Sequence, residues 1–153
     1  MPEKLSDLFE RAQSAIVTWR GQVVHSMFEL PAVPSGTRLR ITFDVLNPAR
    51  PEGLRLKVRG GTLRIADQDL VDVVLWSDSA PRVVEALLQA KRSSANLRFW
   101  NCWRDPADTV QAWIGNAGMI VDEIDGGFRL RCSDGFDGAT FTDLVVSLCV
   151  SSL

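Results

Sequence analysis

The strongest constraint on this chain is a period of two. In Arg38-Leu39-Arg40-Ile41-Thr42-Phe43-Asp44-Val45 the apolar Leu39, Ile41, Phe43 and Val45 fall on one side of an extended backbone, and Arg38, Arg40, Thr42 and Asp44 on the other. A helix would scatter both sets around its circumference, so this stretch reads as a strand with one wet face. The alternation returns in Leu54-Arg55-Leu56-Lys57-Val58-Arg59. Gly60-Gly61 then signals a tight turn into Leu63-Arg64-Ile65, which makes residues 54–66 a hairpin.

Residues 71–76 are continuously apolar apart from Asp72, the pattern of a central strand buried on both faces. Further strands are expected over 97–103, 110–114, 119–124, 128–132 and 141–150, separated by turns rich in Gly, Asp and Asn. Two segments carry helical spacing. Leu5, Leu8, Phe9, Ala12 and Ile16 give an amphipathic helix from residue 3 to about residue 18. Ser79 can cap a second, short helix with Pro81 in its first turn and Val83, Val84, Leu87 and Leu88 as its buried stripe, ending near Arg92. Nine or ten short strands with a single central helix argue against repeated βαβ units. The expected fold is mainly β: an antiparallel two-sheet β-sandwich, jelly-roll-like, with an N-terminal amphipathic helix and one short internal helix. Residues 1–20 hold the N-terminal helix, packed on a single β-sandwich domain formed by residues 21–153.

A chain of 153 residues, 46% of them hydrophobic, can bury roughly 70% of its unfolded surface and needs no disulfide or structural metal to make up for a thin core. Cys102, Cys132 and Cys149 are odd in number and widely spaced, which reads as reduced thiols rather than a secreted framework. The first eleven residues mix acids and bases with no long apolar run. A cytoplasmic location with no membrane partner is expected.

Catalysis is poorly provided for. His25 is the only histidine, no Tyr is present, and there is no GxSxG elbow, P-loop, GxGxxG, HExxH or CxxC motif. His25 and Ser26 are adjacent, so on a strand they point to opposite faces. A small hydrolase using two carboxylates ranks behind every binding reading.

Three constellations suit binding instead. The net charge of −2 hides a segregation: residues 38–64 hold seven bases against Asp44 and Glu52, whereas residues 105–153 hold eight acids against Arg129 and Arg131. Arg38, Arg40, Arg55, Lys57, Arg59 and Arg64 occupy outward strand positions, and on neighbouring strands they would form one basic face for an acidic partner. No aromatic interleaves with them on these strands, which argues against nucleic acid. The second constellation is Trp100, Asn101, Trp103 and Arg104, followed by Trp113. Strand parity puts Leu97, Phe99, Asn101 and Trp103 on one side and Arg98, Trp100, Cys102 and Arg104 on the other, an indole on each. Indole beside Arg or Asn suits a groove for a glycan or another flat polar ligand. Third, Asp134, Asp137 and Asp143 gather ahead of the last apolar strand. Clustered in end loops, such carboxylates can offer calcium its oxygen ligands, though Asp-Gly pairs are also ordinary turn chemistry. No other cofactor is implied. The expected activity is non-catalytic: a binding or protein-interaction module, with a carbohydrate- or calcium-binding sandwich as the alternative.

Overall fold

The computed structural model describes residues 3–136 and 138–151. One helix, α1 (Leu5–Ala12), precedes β1 (Ile16–Trp19), β2 (Gln22–His25), β3 (Phe28–Pro34), β4 (Arg38–Leu46), β5 (Glu52–Arg59), β6 (Gly61–Ile65), β7 (Gln68–Leu70), β8 (Asp72–Trp76), β9 (Val83–Ala90), β10 (Ser94–Arg104), β11 (Val110–Gln111), β12 (Gly118–Ile124), β13 (Gly127–Ser133) and β14 (Leu144–Ser151). The strands form two antiparallel sheets. The larger runs β1-β2-β12-β13-β14-β4-β9-β6-β7; the smaller runs β11-β10-β5-β8, with β3 paired to the other half of β10. Their inner faces enclose the main core, in which Leu39 and Ile41 of β4 meet Leu54 and Leu56 of β5 and Leu97 and Phe99 of β10. A second cluster lies under α1, where Leu5 packs with Val17, Val24, Ile120 and Phe141. Among the described residues no helix is long and apolar enough to cross a membrane.

The two-sheet antiparallel sandwich is as the alternation implies, but the internal helix is absent. Residues 83–90 form β9, paired to β4 and β6, with Val84, Ala86 and Leu88 buried between exposed Val83, Glu85 and Gln89. The segment satisfies both periods: Val83, Val84, Leu87 and Leu88 make a helical stripe, while Val84, Ala86 and Leu88 make a strand face. Two flanking ladders decide for the strand. With nine and five strands, the sheets also depart from the eight-stranded plan of a jelly roll. The N-terminal helix ends at Ala12 because Gln13 turns the backbone left-handed (φ 47°), and β-prone Ile16–Trp19 then pairs with β2.

The expected hairpin over 54–66 does not form. β5 belongs to the small sheet and β6 to the large one, so Gly60-Gly61 carries the chain from one sheet to the other. Gly60 adopts φ 88°, and a Cβ on Gly61 would lie 2.4 Å from the Gln89 carbonyl oxygen. The apolar run 71–76 is also not central. It is β8, at the free edge of the small sheet, and its outer side carries Trp76 beneath Arg104, with Val74 and Asp72 beyond it. Along β4 the predicted inward set holds for Leu39, Ile41 and Phe43. Val45 is exposed, because the register with β14 slips by one residue between Val145 and Val146.

Candidate ligand-binding face

The small sheet turns β5, β8 and β10 so that every second residue faces outward, away from the core. Across these strands the outward residues align in rows: Cys102, Gly53 and Trp76; Trp100, Arg55 and Val74; Arg98, Lys57 and Asp72, with Glu29 of β3 beyond Arg98; then Asn96 and Arg59. Arg104 follows on β10.

The upper rows form an aromatic and guanidinium stack. Arg104 lies 4.3 Å over the Trp76 ring and donates to Asp78 at 3.2 Å. Arg55 sits 5.3 Å from the Trp100 ring and is held by a two-pronged bond to Asp72, at 2.8 and 2.7 Å. That bond holds the Asp72 carboxyl below the usual carboxylate range. Trp113 leans on Trp100, their centroids 5.0 Å apart, and donates its indole N–H to the Ser26 carbonyl at 2.9 Å. Trp100 is thereby covered, while Trp113 is 50% exposed. Trp113 has φ 62°, a region that bulky residues adopt at some cost, and this backbone aims the ring. Gly53 makes room for the stack, since a Cβ there would meet Val74 Cγ1 at 2.8 Å and the Trp76 ring at 2.9 Å.

The lower rows are basic. Lys57 and Arg98 stand directly opposite each other, and Arg59 follows Lys57 on the same side. Asp72, next to Lys57 in the row, is turned to Arg55, and Glu29, next to Arg98, accepts from Asn96 at 3.3 Å. Among the described residues, none of Lys57, Arg59 and Arg98 has a carboxylate partner. Arg98 Nε is buried with no acceptor. The turn at Lys91 and Arg92 is tied to Gly60 by the Lys91 N–H, which bonds the Gly60 carbonyl at 2.9 Å, and it adds two exposed bases beside Arg59.

The six bases expected on one face are therefore divided. Arg55, Lys57 and Arg59 lie outside the small sheet; Arg38, Arg40 and Arg64 lie outside the large one. The two faces differ electrostatically. On the large sheet Arg40 bonds Glu85 at 2.9 Å, Arg64 meets Asp69 at 3.3 Å and Arg131 bonds Asp122 at 2.8 Å. Arg38, Arg40 and Arg64 line a groove of about 570 Å³ with Leu87 and Cys149, and of the three only Arg38 has no carboxylate partner among the described residues.

The aromatic candidates divide the same way. Trp100, Arg104 and Trp113 join the outer face, whereas Trp103 and Asn101 point into the sandwich, Asn101 donating to the buried Ser133 carbonyl at 2.8 Å. Two members of the face, Arg98 and Trp76, were not singled out from sequence. Parity with Trp100 points to Arg98; nothing local points to Trp76, because its place depends on β8 pairing with β5.

The acidic end is committed internally. Asp134 is buried, accepts from Arg50 and from the Phe136 N–H at 3.1 Å, and gives its own N–H to Asp143 at 2.9 Å. Asp143 also accepts from Asn47 at 3.4 Å. Asp137 lies outside the described residues. Among the described residues no three His, Cys, Asp or Glu groups are placed to hold a metal ion. Glu52, on the inner side of β5, is fully buried beside the Asp134 carboxylate, to which its protonated form can donate. Burial first, then the negative charge of Asp134, pushes its pKa up to about 10.

The nucleophile candidates are quiet. Burial pushes the Cys102 thiol up to about 12 and raises Cys132 as well. His25 is half-buried, which lowers its pKa, and packs edge-on against Phe28. Comparison of the chain with protein-family models, with curated proteins and with solved structures finds no match to any of the three.

Proposed function

We propose that the protein is a non-catalytic interaction module that captures an acidic partner protein on the outer face of its small sheet. One observation carries this reading: bases that form no salt bridge among the described residues, Lys57, Arg59 and Arg98, share a face with the half-exposed ring of Trp113. Unpaired bases project a field that steers an acidic surface, and an exposed indole held by its neighbours is a rigid anchor with little ordering cost on binding. All three cysteines are free thiols, which favours a cytoplasmic setting.

The test is titration with a Glu-rich peptide, followed by tryptophan emission and calorimetry. Binding is expected to weaken steeply with salt and to be lost in Lys57→Glu/Arg59→Glu, a variant of two exposed positions whose near-ultraviolet circular dichroism should be unchanged. Equal binding by that variant would overturn the reading. A second reading, a glycan laid on the indole, draws on Trp113 leaning on Trp100 with Arg55 beside it. It requires a neutral glycan to shift tryptophan emission in a manner abolished by Trp113→Ala.

A further inference from the structure

Resting on the acidic-partner reading, we infer that the anchor of the partner is a phosphate monoester on a peptide segment, received between Lys57 and Arg98. Like charges directly opposite on adjacent strands destabilise a sheet. Here the usual remedy is in place but largely committed elsewhere. Glu29 and Asp72 occupy the two ends of the Lys57–Arg98 row, yet Glu29 accepts from Asn96 and Asp72 is clamped by Arg55. Asp72 interacts first with Arg55 and only then with Lys57, so the row keeps two opposed bases short of negative charge, with Arg98 Nε buried without an acceptor. Leaving a buried donor unpaired costs stability, which an oxyanion that draws the Arg98 guanidinium outward would return.

The charge count selects the ligand. One carboxylate carries a single charge and leaves one base of the pair uncompensated. A phosphate monoester carries about −1.5 to −2 at pH 7 with three acceptor oxygens, enough for both the Arg98 fork and the Lys57 ammonium. The surroundings suit a peptide. Arg59, Lys91 and Arg92 continue on one side for neighbouring acidic residues, and the Trp113 ring on the other can take an apolar side chain.

The experiment measures anisotropy of a short labelled acidic peptide bearing one phosphoserine, against the same peptide with Ser and with Glu at that position, and against a single-stranded oligonucleotide. Phosphopeptide binding is expected to be about ten-fold tighter than that of the Glu peptide, in keeping with the stronger bonding of a dianion. This preference should decline as pH falls through about 6, where the monoester loses its second charge. Lys57→Gln should erase the preference and, by removing the like-charge opposition, raise the melting temperature of the unliganded protein. Equal affinity for the phosphoserine and Glu peptides would overturn the phosphate inference and leave the acidic-face reading standing. No binding by any peptide would overturn both. Tighter binding of the oligonucleotide would overturn the inference in favour of nucleic acid.

Discussion

At the scale of single residues, Glu52 pulls stability in a direction opposite to most carboxylates. A surface acid paired with Arg holds its charge more strongly folded than unfolded and so loses stability in acid, as Asp72 does beside Arg55. Glu52 is neutral in the fold, with a pKa of about 10 against an ordinary 4.5. Above pH 4.5 the unfolded chain releases this proton while the folded chain keeps it. The unfolded state then binds fewer protons, so stability falls steadily as pH rises from about 4.5 to about 10. Glu52→Gln keeps the shape and removes the titration. The variant is expected to melt higher than the parent at pH 8, by roughly 2–4 °C for each kcal/mol relieved in a chain of this size, and with a flatter profile between pH 5 and pH 9. A lower melting point at pH 8 with an unchanged pH slope would show that Glu52 is ionised and held by Arg50. Chain order gives little hint of this. Glu52 sits among bases, and its burial arises because it pairs opposite Trp103, about fifty residues further along the chain.

At the scale of elements, the alternation of apolar and polar residues was readable wherever one face meets the core, as in β4, β5 and β10. It failed where the same residues satisfy two periods, as in β9, and where a pair of glycines that looks like a hairpin turn is a crossing between sheets. The crossing gives a sharp comparison. On Gly61 a Cβ would press on the backbone of β9, 2.4 Å from the Gln89 oxygen and 2.9 Å from Ala90 Cα, so β6 and β9 must part. On Gly60 the nearest atoms are 3.9 Å away and the penalty is that of φ 88° alone. Gly61→Ala is therefore expected to cost about 2–4 kcal/mol and Gly60→Ala about 1–2 kcal/mol in urea unfolding. Equal costs would mean that the crossing tolerates separation of β6 from β9. The outer face of the small sheet was legible in halves. Parity sent Trp100, Arg98 and Arg104 to one side of β10, and Arg55, Lys57 and Arg59 to one side of β5. That the two sides are the same surface depends on a strand pairing between residues about forty apart, which no local pattern encodes.

At the scale of the whole molecule, the order of strands makes the two ends of the chain unequal. β14 comes last in sequence but lies in the middle of the large sheet, between β13 and β4, and its register joins Ser151 to Arg38 and Leu144 to Leu46. The large sheet cannot close until this strand arrives, and its ladder with β4 joins residues about a hundred apart. α1, in contrast, covers one end of the large sheet from outside. It is fixed by the burial of Leu5, a bond from the Leu5 N–H to Asn116 at 3.2 Å and one from the Ser6 N–H to the Gly115 carbonyl at 2.9 Å. Removal of the first twelve residues uncovers the second cluster only. The loss should be about 3 kcal/mol, from one buried leucine and these bonds, with a cooperative melt and native near-ultraviolet circular dichroism retained. Removal of the chain from residue 144 onward parts β13 from β4 and exposes Leu39, Ile41 and Leu130 together, and no cooperative transition is expected. If the truncation at residue 144 still melts cooperatively, the small sheet with β4, β6 and β9 folds by itself, and the proposed binding face does not need the rest of the large sheet.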